Sequence, residues 1–220
     1  MTIHILDFYR NSNIGVFLNS NEKFLLVPRG LAKTKITKLS EYLDAEPVEI
    51  SIGGSRLLGP LIAMNNKGIL ISRLADDMEI KYLKKITGLR VERMSSRYTS
   101  IGNLISTNDN GVVASILLKD SINQIADVFD APVEFFSISS FHNVGAIMVS
   151  TNSGSAIHHN ASDEEVSKAA NILKVEVERM TINRGLPYLA SGIILTKEKA
   201  VVGSLTTGPE LVLLSRVFNL

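Results

Sequence analysis

The sequence predicts an α+β fold: a closed ring of five ββαβ units with fivefold pseudosymmetry. Three observations predict it. Glycines that open short apolar runs recur at Gly15, Gly59, Gly102, Gly145 and Gly192, in steps of 44, 43, 43 and 47 residues. Counted round from Leu220 to Met1, the step from Gly192 back to Gly15 is again 43. The tetrapeptide "VERM" occurs at 91–94 and again at 177–180, 86 positions or two periods apart. "DAEPVE" with Pro47 and "DAPVE" with Pro132 repeat the double step at 85.

Each unit follows one order. After the glycine comes an apolar strand, then a turn: "NSNEK", "NNKG", "NDNG", "NSGS" or "TKEK". Asn and Gly tolerate the positive φ of tight hairpins. A second strand follows: "FLLV", "GILIS", "VVASI", "GSAIH" or "AVVGS". A helix comes next. Its start is marked by Asp76-x-x-Glu79, Ser121-x-x-Gln124, Ser162-x-x-Glu165 and Thr207-x-x-Glu210, each a capping-box pattern. Ile122, Ile125, Ala126 and Phe129 form one apolar stripe; Val166, Ala169, Ala170 and Leu173 form another. A third strand closes the unit: "VEISI", "VERMS", "VEFFSI" or "VEVERMTI".

The fifth unit stops after its helix, and "TIHILDF" at the start supplies the missing strand. Closing the ring this way removes open sheet edges. One domain over 1–220 is expected, with units at 14–58, 59–100, 101–143, 144–189 and 190–220 completed by 1–13. Helices should face outward and strands should line a central channel. "VERM" reads as structural, with Val91 and Arg93 on one face and Glu92 and Met94 on the other.

Composition narrows the chemistry. The 220 residues are 45% hydrophobic and 20% charged, enough for a sizeable core. The absence of cysteine excludes disulfides, zinc thiolates and a cysteine nucleophile, and fits a reducing cytosol. A net charge of +1 means that any nucleic-acid contact is local. No apolar run reaches the roughly 18 residues of a membrane span. "MTIHILDFYR" lacks the basic start and long apolar run of a signal peptide and reads as a strand.

Catalytic and ligand motifs are sparse. "GGSRLLG" is no nucleophile elbow, and Gly53-Gly54 lacks the rest of a phosphate loop. His158 and His159, adjacent in a strand, should point to opposite faces, which argues against a shared metal. Ser162 in Asn160-Ala161-Ser162 reads as a helix cap rather than as part of a glycosylation sequon. No cofactor is expected.

The repeat aligns a set of cations. The loop after each third strand holds Arg10, Arg56, Arg97, His142 or Arg184. In a closed ring these five gather at one end of the axis. Two readings stand. The arginines satisfy loop carbonyls or neighbouring carboxylates, or they form a face for acidic protein side chains or rRNA phosphate. Tyr98, Asn103, Asn183 and Tyr188 share these loops, and Tyr and Arg are common interface anchors.

"GGSRLLGPL" (53–61), "VERMSSRYTSIGNLISTND" (91–109), "VEVERMTINRG" (175–185) and "VVGSLTTGPELVLLSRVFNL" (201–220) resemble the translation initiation factor six family in its archaeal form. That family is the non-catalytic branch of the pentein fold, and the resemblance spans essentially the whole chain. It implies a monomeric, cytoplasmic binding protein rather than an enzyme. The implied partner is the large ribosomal subunit, bound on its intersubunit face through a ribosomal protein and near the sarcin–ricin loop, so that the small subunit cannot join. It also implies that Ile101-Gly102-Asn103 and the loop from Asn183-Arg184-Gly185 through Tyr188 belong to the binding surface. Catalytic penteins act on guanidino groups with a cysteine nucleophile, a histidine and acids in the channel. A cysteine-free enzyme of that kind is the rival reading, and a self-assembling structural ring is a third.

Overall fold

A computed structural model describes residues 2–220. It contains five three-stranded sheets, each with its own helix. Unit one holds Asn19–Ser20, Phe24–Pro28 and Glu46–Ile50, with helix Lys33–Leu43 between the last two. Unit two repeats this with Ile62–Met64, Gly68–Ile71, helix Asp77–Thr87 and Arg90–Arg93. Unit three uses Ile105–Thr107, Val112–Ala114, helix Ile122–Phe129 and Val133–Phe135. Unit four uses Met148–Ser150, Ser155–His158, helix Asp163–Leu173 and Val177–Met180. In every sheet the first strand is antiparallel to the second, and the second is parallel to the third.

Unit five has Ile193–Leu195, Ala200–Val202 and helix Gly208–Phe218. Its third strand is Ile3–Ile5, with Ile3 opposite Ala200 in parallel register. The strand exchange expected from the period is therefore present. The ring is mixed α/β in composition, and its strands do not join into a continuous barrel.

There is no single central core. The second strands read as unbroken apolar runs because both faces are buried. Phe24 and Leu26 pack with Val48, Ile50 and residues of unit two, whereas Leu25 and Val27 pack with Ile36, Leu39, Ile194 and Val201. Five such cores lie between neighbouring units. The two VERM strands show the stitching. Val91 belongs to the core shared by units one and two, and Met94 to the next one. Val177 and Met180 divide in the same way between the following pair. Arg93 donates to Ala75 O and pairs with Asp77 at 2.6 Å; Arg179 does the same with Ala161 O and Asp163.

The repeated glycines mark where units touch. A Cβ on Gly59 would lie 1.9 Å from Gly15 O, and one on Gly102 equally close to Gly59 O. Gly15 meets Ala190 O in the same way. The fifth position of this series is thus Ala190, two residues before the Gly192 that the alignment selects. The longer loop of unit four shifts the register, and Gly192 has a different task described below.

Strand direction gives the ring two ends. Hairpin turns and helix C-termini share one, the turn end. Helix N-termini and the loops after the third strands share the other, the loop end. At the turn end Asn21, Asn65 and Asn108 each close their own turn and donate to the next unit, at Asn65 O, Asn108 O and Thr151 O. Asn152 donates to Glu22 and Asp109, while Asn66 bonds Asp109, so these side chains link four units. Ser20 Oγ donates to Leu195 O at 2.6 Å and closes the circle.

Three capping boxes form as the sequence predicts, at Asp76, Ser162 and Thr207. The fourth does not. A 3-10 turn, Ile116–Ser121, precedes the unit-three helix, and Ser115 caps that turn instead. Ile122 is consequently exposed, and the buried stripe is Ile125, Val128 and Phe129. The histidine expectation also changes. The strand ends at His158, so His159 is free to turn back, and the two rings stack at 4.5 Å. Among the described residues no three His, Cys, Asp or Glu groups are placed to hold a metal ion, and no helix is long and apolar enough to cross a membrane.

Candidate partner-binding face

The loop end is built on four tight turns. Phe8 pairs with Asn11, Ile52 with Ser55, Ile138 with Phe141 and Ile182 with Leu186. The first two residues between each pair have positive φ: Tyr9 and Arg10, Gly53 and Gly54, Ser139 and Ser140, Asn183 and Arg184. Such primed turns suit the strand twist but cost a non-glycine residue roughly 1–2 kcal/mol. Gly53 is required outright, since a Cβ there would lie 2.6 Å from Leu74 O.

The turns are held by the helix caps of the following unit. Glu79 accepts from Gly53 N–H, Glu165 from Ser139 N–H, and Glu210 from Arg184 and Gly185 N–H. Gln124 takes the same role for Ser95. Each of the three glutamates thus closes its own helix start and fixes the adjoining loop, whereas Gln124 fixes the loop alone. Glu210 accepts from Thr181 and Thr207 as well. Burial pushes its carboxyl up, but the bonds from Thr207, Gly185 and Thr181 outweigh this and hold it below the ordinary 4.5. Unit one has Lys35 at the clamp position, and its turn rests on Phe8, Tyr9 and Phe17 packed at 4.6–5.3 Å.

The cations share these loops but not one position. Arg10 and Arg184 sit at turn tips, and Arg56 and His142 follow their turns. Arg97 lies over the Tyr98 ring at 5.1 Å and donates to its hydroxyl. His142 Nδ1 shares a hydrogen with Ser137 Oγ at 2.8 Å. Among the described residues no carboxylate lies within ion-pair distance of Arg10, Arg56, Arg97 or Arg184. Arg90, Arg93 and Arg179 on the third strands and Arg216 on the last helix are all paired. The loop arginines therefore do not serve the pairing role that the sequence left open for them.

The remaining candidates divide. Tyr188 is 44% exposed, and with Asn103 it lines the axial cavity beside Gly15, Gly59 and Ala190. Tyr98 is half-buried against the unit-three core. Asn183 is 3% exposed. Its Nδ2 donates to Ser12 O and its Oδ1 accepts from Thr206, while Gly192 and Gly203 leave room for it. Asn183 is a fastener between units and is corrected out of the contact set. Sequence reasoning missed Tyr9, Leu57, Phe141 and Leu186, all exposed beside the turn residues. Their signal was an apolar residue in an otherwise polar loop.

The axial cavity encloses about 180 Å³. Its walls are the first strands, with Asn19, Ser20, Ser106, Ser150 and Thr196 among apolar side chains. The carboxylates at it, Glu22 and Asp109, are engaged by Asn152, and no histidine lines it.

Five repeated units closed on an axial cavity define a pentein-fold protein. A crystal structure of a dimethylarginine dimethylaminohydrolase variant in adduct with S-methyl-L-thiocitrulline shares this fold. It superposes with a TM-score of 0.50 at 13% identity, covering 76% of this chain and 68% of that one. The chain belongs to the eIF-6 family, whose model matches residues 3–217. Relatives named translation initiation factor 6 include those of Nitrosopumilus maritimus, at 42% identity, and Cenarchaeum symbiosum, at 37%, both over 99% of each chain. That of Pyrococcus abyssi is 36% identical over the full length of both. The family is one of translation initiation factors.

Proposed function

We propose that this protein binds the large ribosomal subunit through the loop end of its ring and sterically prevents the small subunit from joining. It acts in the cytoplasm as a monomeric binding protein, contacting a ribosomal protein and rRNA near the sarcin–ricin loop. Full-length membership of the family carries the reading. The loop end supports it. Arg10, Arg56, Arg97 and Arg184, with no carboxylate in ion-pair distance among the described residues, stand beside exposed Tyr9, Leu57, Phe141, Leu186 and Tyr188. This mixture of Arg, Tyr and apolar side chains suits protein and phosphate contacts. An enzyme acting on guanidino compounds would need a nucleophile and a base in the axial cavity. The chain has no cysteine and the described cavity lining has no histidine, which favours binding.

Sedimentation with purified archaeal large subunits tests this. The protein should travel with large subunits and hold them apart from small ones at saturation. Free protein at the top of the gradient, or normal joining, refutes the proposal. Asn103→Glu and Tyr188→Glu should weaken binding while the circular dichroism spectrum stays unchanged. Unaltered affinity in both would remove these positions from the face.

A further inference from the structure

A fivefold backbone leaves the rotation of the ring about its axis undecided. Turning it by one unit brings four similar tight turns into register, so the longer unit-four loop and the side chains must choose. The rim of the loop end, where the helices start, differs sharply among units. Units two and four begin their helices with Asp77 and Glu79, or with Asp163, Glu164 and Glu165. Asp77 and Asp163 are matched by Arg93 and Arg179 on the third strand. Unit one exchanges these signs. Lys33 opens its helix, Glu49 stands on the strand, and no ion pair joins them.

Around Lys33 the cations accumulate. Lys35 occupies the clamp position, and Lys38 follows one turn later. The Arg29 guanidinium lies 5.7 Å from the Tyr82 ring centroid. Lys38 stands 5.3 Å over the Tyr42 ring, which stacks flat on His4 at 3.8 Å. All four cations are exposed, and none meets a carboxylate within ion-pair distance among the described residues. Of the exposed carboxylates on the unit-one helix and third strand, Glu46 pairs with Lys23, and Glu41 and Glu49 have no ion pair among the described residues.

We propose that the unit-one rim, Arg29, Lys33, Lys35 and Lys38, binds an RNA phosphate backbone and thereby sets the rotation of the ring on its partner. This rests on the reading that the loop end faces a ribosomal subunit. Phosphates attract exposed Lys and Arg without requiring base contacts, which suits a face that positions rather than reads. The Tyr82 and Tyr42 rings hold Arg29 and Lys38 by cation–π contact and so fix where a phosphate meets these two charges. The unit-four rim, with Asp163, Glu164 and Glu165, repels phosphate. A dipolar rim on a chain of net charge +1 orients without drawing the protein to every polyanion.

The test compares two triple variants of equal charge change. Lys33→Gln/Lys35→Gln/Lys38→Gln alters the rim. Lys81→Gln/Lys84→Gln/Lys85→Gln alters the exposed side of the unit-two helix. Affinity for large subunits is measured over a salt series, and binding to a fluorescent rRNA hairpin is measured by anisotropy. The rim variant should lose at least about tenfold in affinity at low salt, with its salt slope shallower by about 2–3. It should also lose the weak hairpin binding of the wild type, and the control should match the wild type in both. Equal slopes for the two variants overturn the proposal. So does a rim-specific loss on subunits with no wild-type binding to the hairpin, which would make the partner an acidic protein segment. If the wild type ignores subunits, the proposed function fails, and the hairpin measurement alone decides whether this rim binds RNA.

Discussion

The turns that carry Arg10 and Arg184 share a left-handed backbone and are secured by opposite means. At 182–186, Glu210 gathers donors from Thr181, Arg184, Gly185 and Thr207. Asn183 adds bonds to Ser12 and Thr206. At 8–11 the clamp residue is replaced by Lys35, and beyond the Phe8–Asn11 backbone pair three packed aromatic rings, rather than a carboxylate, hold the turn. Directional bonds specify one geometry and leave buried groups unpaired when cut. Aromatic packing is less exacting. It frees the helix start of unit one from structural work, and that helix start is the one carrying unpaired lysines.

The contrast can be broken from the strong side first. Glu210→Ala leaves several part-buried donors without their acceptor at once and should cost about 3 kcal/mol by urea unfolding. A loss under about 1 kcal/mol would show that the clamp is dispensable. Asn183→Ala should cost about 2–3 kcal/mol, and subunit affinity, measured where the variant remains folded, should be retained.

The Glu210 clamp also carries a pH signature. Its carboxyl is held below the ordinary 4.5, so its contribution is present above that value and is lost as pH falls through the lower folded value. The stability gap between wild type and Glu210→Gln should therefore be full at neutral pH and narrow in acid. A gap that widens in acid would contradict the bonding described here.

Strengthening the weak side gives a smaller effect. Lys35→Glu should install the missing clamp on Tyr9 N–H and a favourable charge at the helix start, raising stability by about 0.5–1 kcal/mol. If the rim binds RNA, the same change should lower hairpin affinity. Smallest of all, Arg10→Ala and Arg184→Ala should each move stability by less than about 0.5 kcal/mol, because neither guanidinium has a partner among the described residues. A larger loss in thermal melts would return these residues to a structural role.

The ring was legible because its period is carried by features that repeat for local reasons: turn-forming Asn and Gly, apolar second strands and capping boxes. Where the sequence misled, a distant contact had intervened. Asn183 looks like a polar loop residue, and nothing nearby reveals that Ser12 accepts its amide hydrogen from 171 positions away. Gly192 fits the spacing but exists to make room for Asn183, while Ala190 takes the repeated contact. Ser121 fits the capping pattern, yet a 3-10 turn reaches the helix first. The loop arginines were visible as a series. That no carboxylate among the described residues pairs with Arg10, Arg56, Arg97 or Arg184 was not, since it depends on where carboxylates from other units fall.

The five shared cores also impose an order on synthesis. The unit-one helix, through Ile36, Leu39 and Leu43, packs in the core that contains Ile194 and Val201, and Thr196 donates to Leu43 O. A ribosome makes this helix early and the strands that cover it nearly last. Until then its apolar stripe is covered by unit one's own Leu25 and Val27 but not from the side of Ile194 and Val201, and closing the ring must bring together segments more than 150 residues apart. The core beside unit one is thus the last to be completed, and a nascent chain stalled before Ile193 should leave the unit-one helix partly uncovered and open to chaperones or proteases.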